Sequence, residues 1–135
     1  YKMILIISEY DETAKLQLTT RAESNLDNIR KKIISIGIPT SVIGYKYIIE
    51  SIELIFRESC TCNLLKNIYD KLAKNNSTTP QCVESAIRNA IKQAAKNPTD
   101  DYKSLFSDFI AQNKHPSNLK FLTKITEVMR VNYRL

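Results

Sequence analysis

Leu64-Leu65-Lys66-Asn67-Ile68-Tyr69-Asp70-Lys71-Leu72-Ala73-Lys74, Asn75-Asn76-Ser77-Thr78-Thr79-Pro80 and Gln81-Cys82-Val83-Glu84-Ser85-Ala86-Ile87-Arg88-Asn89-Ala90-Ile91-Lys92 follow one another in the chain, and their reading decides the fold. The first stretch sets apolar residues at helical spacing. The second is a cluster of turn and cap residues. The third resumes a helix that runs to about residue 96, with Val83, Ile87, Ala90, Ile91 and Ala94 on one side. Two helices joined by so short a polar turn form a helix-turn-helix, which presents the polar face of its second helix to a DNA major groove. Ala73, ten residues before Val83, is small enough to let the two helices approach closely.

The surrounding chain is long enough to bury this unit. At 135 residues and 43% hydrophobic content it makes one domain with a real core, which argues against global disorder. No apolar run approaches the roughly 20 residues needed to span a bilayer, so no membrane association is expected. Met3-Ile4-Leu5-Ile6-Ile7 is short for a signal-peptide core, and acidic residues follow it. Three cysteines, an odd number, fit a reducing compartment better than a disulfide framework. The expected location is the cytoplasm.

The net charge of +6 is unevenly placed. Residues 1–60 hold eight basic and eight acidic side chains, whereas residues 61–135 hold twelve and six. The whole excess therefore accompanies the helix-turn-helix, as expected for a phosphate-backbone ligand. A solvated basic face that keeps the domain soluble is the alternative.

Working outward, Leu26, Ile29, Ile33 and Ile34 stripe a first helix, capped by Ser24 or Asn25. Gly37-Ile38-Pro39 ends it. A second helix, roughly Ser41 to Glu58, carries Ile48, Ile52, Ile55 and Phe56. Beyond Asn97-Pro98-Thr99-Asp100, a short helix from Tyr102 to Ala111 carries Leu105, Phe106, Phe109 and Ile110. Pro116-Ser117-Asn118 leads into a last helix, about Leu119 to Asn132, with Phe121, Leu122, Ile125, Val128 and Met129. Residues 1–24 differ in texture: the β-branched run Ile4 to Ile7, then alternating Leu16 and Leu18, predicts a strand or hairpin. The expected fold class is all-α: a six-helix DNA-binding domain over 25–135, preceded by a strand-like segment or linker at 1–24. The core should contain Ile29, Ile33, Ile52, Ile68, Leu72, Val83, Ile87, Phe106, Phe121 and Ile125.

An ordered set of short matches runs through the helical part. Leu26-Asp27, Ile36-Gly37-Ile38-Pro39 and Ile43-Gly44-Tyr45-Lys46-Tyr47 come first. Ile68-Tyr69, Leu72-Ala73-Lys74, Thr78-Thr79, Val83-Glu84 and Ala86-Ile87-Arg88-Asn89-Ala90-Ile91 follow, then Pro116-Ser117-Asn118 and Phe121-Leu122. Together they make residues 25–135 resemble the C-terminal effector domain of the stage 0 sporulation protein A family, bacterial sporulation response regulators. The resemblance implies a six-helix DNA-binding domain that regulates transcription and contacts RNA polymerase. In that family a phosphorylatable receiver precedes the domain. The 24 residues upstream are too few for a receiver, so it was either separated from this chain or never present, and the strand-like start favours the second.

Carried over residue by residue, the resemblance puts Glu84 and Arg88 on the DNA-facing side of the recognition helix, about 80–96. A Glu can accept from a cytosine amino group, and an Arg can donate twice to guanine. Their spacing of four also suits an intrahelical ion pair. Cys82 and Ser85 stand where the family has basic residues, and Asn89 replaces a histidine, a residue type suited to adenine. Gln81, Glu84, Ser85, Arg88 and Asn89 are therefore the candidate base contacts, on an operator altered from the family's. Lys74, Thr78, Thr79, Lys92, Lys96 and Lys114 are candidate phosphate contacts, one of the threonines also serving as helix cap. Cys82, if it faces DNA, is exposed to oxidation.

Other chemistries fail on inventory. Two glycines, Gly37 and Gly44, cannot make a phosphate-cradling loop. The sole histidine, His115, has no triad, and Cys60-Thr61-Cys62 lacks the spacing of a zinc site and reads as small apolar filler. No metal, no cofactor and no enzyme activity are expected. The expected partner is double-stranded DNA, with a homodimer on adjacent sites and RNA polymerase as further partners. The alternative function is a receiver-less interaction module that pairs with a full-length regulator or RNA polymerase through residues 1–20 and the last helix.

Overall fold

Ile29, Ile33 and Ile36 recur at four- and three-residue spacing, so one face of a helix over 25–36 (α1) can be buried completely. The computed structural model describes residues 25–57 and 63–133. After α1 come α2 (Ile43–Arg57), α3 (Leu64–Asn75), α4 (Pro80–Lys96), α5 (Asp100–Leu105), α6 (Ser107–Ala111) and α7 (Asn118–Tyr133). No strand occurs among the described residues. The strand or hairpin expected within 1–24, the Ser24 cap and the Cys60 and Cys62 fillers lie outside them.

The core is continuous. α4 sits at its centre, packed against α2, α3 and α7, and α7 also closes over α2. Gly44 makes the α2–α4 approach possible: a Cβ there would stand 2.3 Å from the Ala86 carbonyl oxygen and 2.7 Å from the Ala90 Cβ. All ten residues expected in the core are buried.

Three helices end alike. Gly37 (φ 99°), Ser77 (φ 53°) and Asn113 (φ 55°) are left-handed, and the next amide reaches back five residues: Ile38 to Ile33, Thr78 to Ala73, Lys114 to Phe109. This Schellman geometry satisfies carbonyls that the helix itself leaves open. It fixes the α3–α4 turn and the loop that carries Lys114 and His115.

Three expectations need correction. Ile34 is 51% exposed and Ile36 takes its place, because a residue directly after Ile33 is rotated about 100° away from the buried face. The second helix starts at Ile43 rather than Ser41, after a turn in which the Val42 amide bonds the Pro39 carbonyl at 3.5 Å. The single helix expected from Tyr102 to Ala111 is two, α5 and α6, giving seven helices among the described residues instead of six. Phe106 leaves helical geometry at φ −125°, ψ 35°. Its ring stacks on Phe121 at 5.4 Å and meets Tyr102 at 5.1 Å, so burial of this aromatic cluster outweighs the break in the backbone ladder. α5 begins at Asp100 because the Thr99 hydroxyl accepts from the Tyr102 amide at 3.2 Å, with Asp100 and Asp101 in the first turn complementing the helix dipole.

Candidate nucleic-acid interface

α4 is amphipathic over its whole length. Val83, Ile87, Ala90, Ile91 and Ala94 are buried, which leaves Gln81, Cys82, Asn89, Lys92, Gln93 and Lys96 exposed, with Ser85 half-buried among them. Pro80 occupies the first helical turn, where an amide hydrogen has no intrahelical partner to lose. Thr79 is the cap: its hydroxyl accepts from the Cys82 amide at 3.2 Å. Thr78 and Thr79 therefore stand at the positive end of the helix dipole, where a phosphate is favoured. Their hydroxyls also hold the exposed Cys82 thiol below its ordinary pKa.

Glu84 and Arg88 sit on the flank of this stripe rather than its crest. Arg88 Nη1 donates to Glu84 Oε1, and its Nη2 reaches the Ser85 hydroxyl at 3.5 Å. Their side chains are 36% and 43% exposed, and both line an open cleft of about 480 Å³ with Tyr69, Asn118 and Leu119. An i,i+4 pair this exposed is worth about 0.3–0.5 kcal/mol, against about 1–3 kcal/mol for a bidentate contact to a base. The pair therefore orients Arg88 without preventing its use elsewhere.

Of the six candidate phosphate partners, Lys74 is exposed in the last turn of α3, beside the α3–α4 turn. Lys92 and Lys96 are exposed in the second half of α4, and Lys114 is exposed in the loop after α6. Lys92, Lys96 and Lys114 come together on one cleft, with His115. Lys74 does not join them.

Two asparagines missed by sequence reasoning fix where α4 stands. Asn76, in the turn, accepts from Lys46 Nζ at 2.8 Å and donates to Glu50 Oε2 at 3.0 Å and to the Leu72 carbonyl at 2.8 Å, bolting the turn to α2. Asn118, only 8% exposed at the start of α7, donates to the Tyr69 hydroxyl at 2.9 Å and to the Glu84 carbonyl at 3.1 Å. It joins α3, α4 and α7 at one point. Burial pushes the Tyr69 hydroxyl above its ordinary pKa, only partly offset by that donated bond, so it stays protonated at neutral pH. The signal for Asn118 was its place after Pro116-Ser117; nothing local marked its partners.

Among the described residues no group of His, Cys, Asp and Glu side chains is placed to hold a metal ion. No helix among them is long and apolar enough to cross a membrane. A central helix with one apolar and one polar face, capped by Thr79 and held by short polar clamps, is an arrangement built to present side chains. The family model of the sporulation initiation factor Spo0A C-terminal region matches residues 29–129, and the chain belongs to that family of DNA-binding effector domains of a sporulation regulator.

Proposed function

We propose that the chain is a sequence-specific regulator of transcription that inserts α4 into the major groove of double-stranded DNA. The exposed polar stripe of α4 carries this reading: it offers donors and acceptors along the helix, and its one carboxylate, Glu84, is already neutralised by Arg88. Gln81, Glu84, Ser85, Arg88 and Asn89 read base edges. Lys74, Thr78, Thr79, Lys92, Lys96 and Lys114 hold the backbone and set the register without reading sequence. With Cys82 and Ser85 in place of two cations, the protein reads an operator different from its family's. One such helix covers few base pairs, so two copies bind adjacent sites, and the DNA-bound protein works in the cytoplasm with RNA polymerase as its partner.

Duplex affinity measured across salt concentrations tests this. Four lysines on phosphates in each copy give a log–log slope of about −3 to −4 per bound protomer, and Lys96→Gln makes it shallower by about one per protomer. An affinity indifferent to salt and to Lys96→Gln contradicts the proposal and favours the interaction-module reading.

A further inference from the structure

The polar clamps and the apolar core account for nearly every buried polar side chain; one is left over. Tyr102 is fully buried, and its hydroxyl has no hydrogen-bond partner among the described residues. A buried hydroxyl without a partner carries the full penalty of its desolvation, so such a group calls for an explanation. Tyr102 lines a cleft of about 370 Å³ between the second half of α4 and the loop after α6. Lys92, Lys96 and Lys114 line the same cleft, with Asn113 and His115, and no carboxylate lines it among the described residues. None of the three lysines has an ion-pair partner among those residues.

Three lysines line this one cleft by construction. Lys92 and Lys96 are one helical turn apart on α4. Lys114 is delivered by the Schellman end of α6, where left-handed Asn113 turns the chain and the Lys114 amide is tied to the Phe109 carbonyl at 2.8 Å. The C-terminal end of α4 contributes about half a negative charge, too little to offset three cations. Like charges left together without a counter-charge raise the local affinity for an anion. A tetrahedral oxyanion has enough acceptor positions to take several ammonium donors and a phenolic hydroxyl together.

We propose that this cleft is a phosphate-binding site, with Lys92, Lys96 and Lys114 supplying charge and the Tyr102 hydroxyl donating to one phosphate oxygen. The phosphate has two sources, the DNA backbone or a small phosphorylated molecule. The inference rests on the reading of these lysines as phosphate partners, and extends it with a buried hydroxyl and a defined seat. Occupation by a free phosphate would remove the same lysines from DNA.

Inorganic phosphate, titrated into the full chain at constant ionic strength and followed by NMR, is the first test. The expected result is saturable shifts at Tyr102, Lys96 and Lys114, with affinity falling at least fivefold in Tyr102→Phe and in Lys114→Gln. Tyr102→Phe removes only the hydroxyl, so its melting temperature should be unchanged or raised, which separates ligand loss from unfolding. Absence of saturation, or full phosphate affinity in Tyr102→Phe, overturns the proposal. Duplex affinity of Tyr102→Phe, which leaves every lysine in place, identifies the source. A parallel loss assigns the seat to a backbone phosphate, and an unchanged duplex affinity assigns it to a small phosphorylated ligand. The salt slope of duplex binding tests the DNA reading separately, so failure of one leaves the other standing.

Discussion

The two faces of α4 obey opposite rules. Its inner face holds Val83, Ile87, Ala90, Ile91 and Ala94 at full burial, and Gly44 of α2 lies so close that one added methyl group would strike backbone. Its outer face, from Gln81 to Lys96, touches little of the protein. Position is thus set from one side, and under the proposed function recognition is set from the other, so a change of operator would require no change in the fold. Cys82 and Asn89 are exposed and Ser85 is half-buried on that face, so changes at these positions alter what the outer face offers and leave the packing alone.

The largest expected effect breaks the inner face. Ile87→Asp puts a carboxylate at a completely buried position, and destabilisation above about 4 kcal/mol should leave no cooperative thermal transition. Gly44→Ala comes next. An alanine gains about 1 kcal/mol in helix propensity, but overpacking costs typically about 1–3 kcal/mol and more where rigid backbone is struck. The Ala86 carbonyl cannot give way without moving α4, so urea denaturation should show a net loss of about 2 kcal/mol. Duplex affinity should fall as well.

Asn118→Ala attacks the seam between the faces. Removing its donor leaves the Tyr69 hydroxyl and the Glu84 carbonyl short of a partner, for about 1–2 kcal/mol in the same denaturation assay. Ser77→Gly is the smallest change and touches neither face. It relieves a left-handed backbone worth about 1–2 kcal/mol and gives back about 0.5–1 kcal/mol in chain entropy. A slightly higher melting temperature with unchanged DNA affinity would show that the turn itself serves position, not recognition.

The inner face was legible in the sequence and much of what holds it was not. Thr79-Pro80 and Asn97-Pro98 bracket α4 at Pro80 and Lys96, where the structure begins and ends it, because cap and breaker chemistry is local. Leu105, Phe106, Phe109 and Ile110 keep helical spacing with no glycine or proline between them, so nothing local revealed the break at Phe106. It arises from stacking on Phe121, fifteen residues further on. The Asn76 and Asn118 clamps are of the same kind, since their partners Glu50 and Tyr69 lie 26 and 49 residues away. Exposure also needed the structure: the four-residue spacing of Glu84 and Arg88 announced a pair, but not that the pair would lie on the flank of the exposed stripe.

Selection of bound duplexes from a random pool, run in parallel on the native chain, Glu84→Ala and Arg88→Ala, tests the central claim most directly. An enriched motif that loses preference at one position in each variant, with folding intact, is the predicted result, each lost bidentate contact relaxing discrimination by about 1–3 kcal/mol. Equal, salt-sensitive binding to every duplex, with the variants indistinguishable from the native chain, would contradict a reading role for the outer face of α4.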